Sequence, residues 1–228
     1  MAEYTSREHH PAFEEYCETI YELAEDGHKV IQARIADRLD VSRPAVSEMV
    51  HRMVEAGLVE VDGGAIALTE EGLGLANTMV RRHRLAERFL TDMLGLSWAE
   101  AHHEAGKWEH VISPVVESAI AAALDNPTTC PHGNPIPGST YVEQVTVSLA
   151  TLPVGRHATV TRIPEELEFT PGLLEFLEAN RLLPGAQARV LTSSPDGTTT
   201  VEIDGQVVGI SAFTAERILV TERLAVSD

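Results

Sequence analysis

The chain has 228 residues, enough for two or three small domains, and its apolar content of 43% is typical of a soluble globular protein. No apolar run approaches the roughly 18 residues of a membrane span and the start is polar, so we expect a cytoplasmic protein that does not bind membranes. A formal net charge of −18 argues against a surface that binds nucleic acid everywhere, and two cysteines are too few for a disulfide framework.

The first predicted elements are three helices. Apolar residues recur with helical spacing over residues 11–26, and a short second helix is predicted over 32–39. Ser42 is a suitable N-cap for a third helix that continues to Gly57. Pro44 falls in its first turn, where a missing N–H group is tolerated.

A β-hairpin is predicted directly afterwards, because residues 58–69 alternate apolar and polar side chains around Asp62-Gly63-Gly64. Three helices followed by a hairpin form a winged helix-turn-helix, which we expect to occupy residues 1–71. Similar three-helix cores occur in proteins that never touch DNA. Between Lys29 and Arg52, however, five basic residues outnumber three acidic ones, and this local excess favours DNA binding. The basic candidates for DNA contacts are Arg34, Arg38, Arg43 and Arg52.

The middle of the chain is predicted to be helical. A long helix begins at Thr69 and reaches about residue 94, a capping box at Ser97 opens a second through His110, and an apolar helix covers 115–124. These helices carry more apolar surface than a small winged domain can cover, and dimerisation is its simplest use. A dimer also suits an operator with two half-sites. We therefore expect a helical dimerisation and metal-binding domain over 72–140.

The last third of the chain is predicted to be mostly β. Residues 126–139 hold four prolines and two glycines, which indicates an irregular connector, and Cys130-Pro131-His132 is interpreted there as ordinary loop. Six strand-like runs follow, with one helix over 170–180 among them, and their spacing predicts a small SH3-like β-barrel over 141–228. The expected fold class is mainly α with β.

Four of the ten histidines lie between His83 and His110, in two motifs that predict a metal site. Positions i and i+4 share one helix face, so each motif can close on one ion. Imidazole and carboxylate together suit first-row transition metals. A single His-x-x-x-Glu pair is common by chance, whereas two motifs close together are not. The candidates are His83, Glu87, His102, Gly106, Glu109 and His110.

Nearly the whole chain resembles the diphtheria toxin repressor family of iron- and manganese-dependent repressors. The most specific stretches are residues 32–39, 81–96, 103–113 and 132–138. The resemblance implies a winged helix-turn-helix, a helical dimerisation domain with two metal ions per subunit, and a C-terminal SH3-like domain. It also implies a homodimer that binds a double-stranded DNA operator and represses genes of metal-ion homeostasis when metal is bound.

The resemblance further implies how the ligands divide between two sites. The ancillary site would be formed by His83, Glu87, His102, Glu165 and Glu168. The regulatory site would be formed by Glu15, Glu18, Glu109, His110 and the backbone carbonyl of Gly106. For Glu15 and Glu18, a solvated helix face is the alternative interpretation.

The same comparison bears on the metal. Iron-responsive members of the family have methionine in place of Glu15 and cysteine in place of Gly106. Without these two sulfur atoms, the remaining hard oxygens and imidazoles favour Mn²⁺, with Fe²⁺ as the alternative. In the recognition helix, the positions that face bases or phosphates in this family are Ser42, Pro44, Ser47 and Glu48. Glu48 replaces the glutamine of iron-type members, so the operator sequence does not transfer.

Two other functions compete with this interpretation. His/Glu metal sites can also activate water in a hydrolase. The sequence has no HExxH motif, nucleophile elbow or phosphate loop, so we do not expect an enzyme. A dimer that only stores metal would bind ions without any affinity for DNA, and the basic stretch between Lys29 and Arg52 argues against that function.

Overall fold

The computed structural model describes residues 11–222, which form three successive units along the chain. A three-helix unit with a hairpin comes first, a helical unit follows, and a six-stranded sheet comes last. Within the described residues, no helix combines the length and the apolar character needed to cross a membrane. The predicted fold class is confirmed.

The first unit has the predicted winged helix-turn-helix order. Its elements are α1 (Pro11–Glu25), α2 (Gln32–Leu39), α3 (Arg43–Glu55), β1 (Val59–Asp62) and β2 (Ala65–Leu68). The hydroxyl of Ser42 accepts a hydrogen bond from the backbone N–H of Ala45, so the predicted N-cap of α3 is present. The strands pair antiparallel. Ile20, Ile35 and Met53 bury the apolar faces of the three helices against one another.

The second unit contains α4 (Glu70–Asp92), α5 (Trp98–Trp108) and α6 (Pro114–Ala123). Hydroxyl side chains cap all three helices, and Ser97 and Glu100 complete the predicted capping box of α5. The long helix α4 packs against α1 on one side and α5 on the other. It therefore joins the first unit to the rest of the molecule.

The proline-rich segment after α6 is irregular, as its composition predicts, but its central part belongs to the buried interior. Cys130, His132 and Asn134 are each 0% exposed. The amide of Asn134 donates hydrogen bonds to the Ile163 carbonyl and the Glu168 carboxylate, at 3.0 and 2.8 Å. Cys130-Pro131-His132 is a loop, as predicted, but a buried one, because this segment packs between α4 and the C-terminal unit.

The C-terminal unit is a small sheet with short helices. Its elements are β3 (Val147–Ser148), β4 (His157–Arg162), α7 (Glu165–Glu168), α8 (Leu173–Ala179), β5 (Gln187–Ser193), β6 (Thr199–Ile203), β7 (Gln206–Ile210), α9 (Ala212–Arg217) and β8 (Leu219–Glu222). The strand order is β3-β8-β4-β5-β6-β7, with antiparallel neighbours. The sequence did not predict α7, the helix that carries Glu165 and Glu168.

Candidate metal centre

A cavity of about 450 Å³ opens where α1, α2, α4, α5 and the end of α7 meet. Seven of the predicted metal ligands line it, namely Glu15, Glu18, His83, His102, Gly106, Glu109 and Glu168. The side chains of Glu22 and Arg38 also face it. The cavity thus combines parts of all three units.

His83 lies between the two predicted ligand sets. Its Nδ1 atom is 2.6 Å from Glu109 Oε2, while its Nε2 atom is 3.2 Å from Glu87 Oε1 and 3.3 Å from His102 Nδ1. Burial lowers the pKa of His83, but the carboxylates of Glu87 and Glu109 outweigh burial and raise it well above the usual value. The two sets are therefore electrostatically connected through one imidazole.

The first cluster groups Glu18, His83 and Glu109, whose ligand atoms all lie within 4.8 Å of one another. Burial raises the pKa of Glu18, and the neighbouring Glu109 carboxylate raises it further. Within the described part of the chain, Glu18 Oε1 has no hydrogen-bond partner. A buried acceptor without a hydrogen bond destabilises the folded protein unless a cation binds to it.

Two other predicted members of this set are arranged differently. His110 Nδ1 is 2.8 Å from Glu14 Oε2, so the residue that reaches His110 from α1 is Glu14, which the sequence analysis did not select. Glu15 is solvent-exposed at the cavity. Glu14 and Glu15 are adjacent residues on α1, and the sequence alone does not show which of the two carboxylates points toward His110.

The second cluster is built around Glu87 and Glu168. His102 Nδ1 is 3.0 Å from Glu87 Oε1 and 3.1 Å from Glu168 Oε2. Burial lowers the pKa of His102, but hydrogen bonds to Glu168 and Glu87 prevail and raise it to about 10. The helix pair α4–α5 and the C-terminal unit thus meet at this cluster, and Glu165 and His102 also lie within ligand distance of Glu168.

His132 joins this cluster, although the sequence analysis excluded it. Its Nδ1 atom is 3.0 Å from Glu168 Oε2 and 3.5 Å from Glu87 Oε2. With Cys130 and Glu87 it forms a group whose ligand atoms are within 4.8 Å of one another. The signal that could have identified them was the Cys-x-His spacing itself.

Glu165 has a second partner. Arg84, which is fully buried, lies 3.0 Å from Glu165 Oε1 and 2.7 Å from Glu25 Oε2 through its Nη2 atom. Of the two carboxylate oxygens of Glu165, Oε2 is the one that is buried without a hydrogen-bond partner among residues 11–222. Glu165 therefore links α7 to α4, and one of its two oxygens remains available to an ion.

The donor set fits a divalent transition-metal ion. It combines carboxylates, imidazoles and one thiol, all of which are ligands for such ions when deprotonated. In the described residues Glu18 Oε1, Glu87 Oε2 and His132 Nε2 are buried without hydrogen bonds. The two carboxylate oxygens have lone pairs that a cation would satisfy.

The buried carboxyl of Glu22 makes the stability of the folded protein depend on pH. Burial raises its pKa from 4.5 to about 7, against the opposing effect of Arg38, whose Nη1 is 3.3 Å away. Because the folded pKa is the higher one, the stabilisation is complete below pH 4.5 and is lost as pH rises through about 7. Glu22→Gln lacks this titration. In chelator, the wild type should lose up to about 3 kcal/mol relative to this variant between pH 4 and 8.

Urea unfolding of the two proteins at a series of pH values measures this difference. Parallel stability profiles would contradict the assignment of the titration to Glu22.

The helix-turn-helix surface presents most of the residues predicted to contact DNA. Arg34 on α2 is exposed, and so are the residues at the start and along the outer face of α3, namely Ser42, Arg43, Pro44, Ser47, Glu48 and Arg52. Arg38 differs from the prediction. Its side chain is 6% exposed and is turned into the acidic cavity, where Glu22 binds it. Sequence spacing could not show that this cavity lies beside α2.

Three family models match the chain in succession. Residues 10–64 match the N-terminal DNA-binding domain of iron-dependent repressors, and residues 69–138 match their metal-binding and dimerisation domain. Residues 147–222 match the FeoA domain. The three matches follow the three units of the structure.

Curated relatives and solved structures extend this likeness. The chain is 42% identical to the iron-dependent repressor IdeR of Mycobacterium tuberculosis over 204 residues, covering 84% of this chain and 88% of that protein. It is 48% identical to the diphtheria toxin repressor of Corynebacterium diphtheriae over 126 residues, covering 55% and 56% of the two chains.

A manganese-dependent transcriptional repressor in complex with manganese superposes with a TM-score of 0.83 at 33% identity, over 92% of this chain and all of that chain. IdeR of T. acidophilum superposes with a TM-score of 0.76 at 30% identity, over 92% and 97% of the two chains. The chain therefore belongs to the iron-dependent repressor family and is a metal-dependent transcriptional repressor.

Proposed function

We propose that this chain binds its operator as a homodimer and represses genes of metal-ion homeostasis when two divalent ions occupy each subunit. The observation that carries the proposal is the pair of ligand clusters that meet at His83, on the wall of one cavity. Helix α1 contributes to that cavity with one face and to the helix-turn-helix core with the other. An ion in the cavity is therefore in a position to fix the DNA-binding unit relative to α4 and α5.

The regulatory ion would be held by the first cluster together with its neighbours, that is by Glu14 or Glu15, Glu18, His83, Glu109, His110 and the Gly106 carbonyl. The ancillary ion would be held by Glu87, His102, Cys130, His132, Glu165 and Glu168. When bound, each ion would replace the protons now shared between these imidazoles and carboxylates and supply positive charge to a buried acidic cavity. The ligands come from different units, so binding would favour one arrangement of the domains.

Mn²⁺ is our proposed activator, with Fe²⁺ as the second candidate. Support for manganese comes from the carboxylates at Glu15 and Glu18 and from Gly106, which leave the first cluster without sulfur. The manganese-bound neighbour supports the same choice. The names of the mycobacterial relatives favour iron. Zn²⁺ would bind such donors more tightly in a simple affinity series, so selectivity must come from coordination geometry and metal supply.

We assign DNA contact to the exposed residues of α2 and α3. These are Arg34, Ser42, Arg43, Pro44, Ser47, Glu48 and Arg52. The arginines would neutralise phosphates, while Pro44 and Glu48 would face base edges. The acidic remainder of the chain would stay away from the phosphate backbone. We place the repressor in the cytoplasm, where its DNA is, and divide it into domains at residues 1–71, 72–140 and 141–228.

The dimer surface that we propose lies at the end of α4 and along the α5–α6 corner. Large apolar side chains are exposed there, namely Met93, Leu94, Val111, Val115 and Val116. Residues 69–138 match a dimerisation domain, and this patch belongs to that region. Several large apolar side chains exposed in one region of a chain are typical of a protein interface.

The test of the proposed function is equilibrium binding to DNA from the region upstream of its own gene, at fixed salt, in chelator and in Mn²⁺. We expect Mn²⁺ to raise the DNA affinity roughly 5- to 150-fold, which corresponds to a coupling energy of about 1 to 3 kcal/mol. Metal binding without any change in DNA affinity would support the storage function instead.

His132→Ala tests the second cluster. Loss of this buried imidazole should lower the affinity for the ancillary ion at least about tenfold. Calorimetric titration in moderate Mn²⁺ should then count one tightly bound ion per subunit instead of two. The DNA response should weaken but persist, because the first cluster is intact. His157→Ala is the matched control, since His157 is exposed on β4. Two unchanged tight ions in His132→Ala would remove His132 from the site.

A further inference from the structure

Arg38 joins two helices of the DNA-binding unit inside the cavity. From α2 its Nη1 atom donates a hydrogen bond to Glu22 Oε2 on α1 at 3.3 Å, and both side chains are 6% exposed. Its Nη2 atom is buried without a hydrogen-bond partner among the described residues. A buried pair of this kind adds little net stability, because desolvation offsets the attraction. Stability alone therefore does not explain Arg38.

Phe169 connects this pair to the metal centre. It follows α7 directly and is the neighbour of Glu168 in sequence. The Arg38 guanidinium carbon lies 4.1 Å from the centre of the Phe169 ring, a cation–π contact. The same ring meets the ring of His102 edge-on, with centres 5.3 Å apart and planes at 89°. Phe169 thus lies between a candidate metal ligand and the helix-turn-helix.

We propose that Arg38 and Phe169 are positioning residues that couple the metal centre to the DNA-binding helices. An ion held by His102 and Glu168 would fix the Phe169 ring, the ring would fix the Arg38 guanidinium, and Arg38 would fix α2 against α1. This inference rests on the proposed function. It replaces the expected DNA contact of Arg38 with a contact inside the protein.

DNA binding at several salt concentrations separates the two roles. A side chain that contacts phosphate contributes about −0.9 to the slope of log affinity against log salt, with or without metal. A coupling side chain leaves that slope unchanged and alters only the factor by which metal raises affinity. Arg34 offers the matched control, because it lies one turn earlier on α2 and is exposed.

The experiment compares wild type, Arg38→Met, Arg34→Met, Phe169→Leu and Phe169→Tyr in chelator and in saturating Mn²⁺. We expect Arg38→Met and Phe169→Leu to reduce the Mn²⁺-dependent gain by roughly 2- to 30-fold, with unchanged affinity and salt slope in chelator. Phe169→Tyr keeps the aromatic face and should keep the gain. Arg34→Met should give a shallower salt slope and keep the Mn²⁺-dependent gain in DNA affinity. In the double variant Arg38→Met/Phe169→Leu, the two reductions of this gain should not multiply.

Two results would overturn the proposal. The first is equal loss of affinity by Arg38→Met in chelator and in Mn²⁺ with a shallower salt slope, which would make Arg38 a DNA contact. The second is a full Mn²⁺-dependent gain in DNA affinity for Phe169→Leu; the Phe169 side chain is 47% exposed. If wild type itself shows no gain, the metal switch fails for every variant, which differs from either of these results.

Discussion

Glu109→Gln should abolish the response of DNA binding to Mn²⁺. Glu109 is buried, its Oε2 atom is 2.6 Å from His83 Nδ1, and it shares the first cluster with Glu18. Glutamine keeps the size of the side chain and removes the charge, so the regulatory ion loses a carboxylate in a site that offers little solvent. The variant should bind operator in Mn²⁺ no better than wild type does in chelator, a loss of roughly 5- to 150-fold.

The matched control is Glu104→Gln on the same helix. Glu104 pairs with Lys107 and not with a candidate ligand, and its substitution should leave the response unchanged. Glu87→Gln, in the second cluster, should weaken the response less than Glu109→Gln. Equal losses in the two cluster variants would contradict a primary and an ancillary ion. A full response in Glu109→Gln would exclude the first cluster as the regulatory site.

Val115→Asp should separate the proposed dimer. Val115 is 75% exposed near the start of α6, beside Val111, and a carboxylate buried in an apolar interface would be strongly destabilising. Sedimentation equilibrium should show a monomer. Affinity for a two-half-site operator in Mn²⁺ should fall at least about 100-fold, because the second half-site is no longer bound intramolecularly.

Val207→Asp provides the control for surface charge. Val207 is also exposed, but it lies on β7 in the C-terminal unit. This variant should remain a dimer with wild-type affinity. A dimeric Val115→Asp protein would place the interface elsewhere, and a monomeric Val207→Asp protein would place it on the sheet.

Local signals account for what the sequence predicted well. Caps at Ser42, Thr69 and Ser97 mark the true helix starts, since capping depends on residues within one turn. The motifs at His83 and His102 lie on two consecutive helices that pack together, so their side chains meet as the spacing suggested. The fold class and the residues that α4 and α5 contribute to the two clusters were therefore accessible from the chain alone.

Long-range packing accounts for what the sequence did not show. His132 is separated from Glu168 in the chain by β3 and β4, and only the folded chain brings them to 3.0 Å. The composition of residues 126–139 is that of a connector, but the amide of Asn134 in this segment is buried and donates hydrogen bonds to the C-terminal unit. Arg38 carried the charge expected of a DNA contact, but the acidic cavity that binds it is formed where α2 meets α1, α4, α5 and the end of α7.

The central claim is that metal and DNA favour the same conformation, and thermodynamic linkage tests it most directly. The measurement is the affinity for Mn²⁺, by calorimetric titration, of the full chain alone and of the full chain saturated with operator duplex. We predict that operator tightens Mn²⁺ binding by the same factor, roughly 5- to 150-fold, by which Mn²⁺ tightens operator binding. Identical Mn²⁺ affinity with and without operator would contradict the claim.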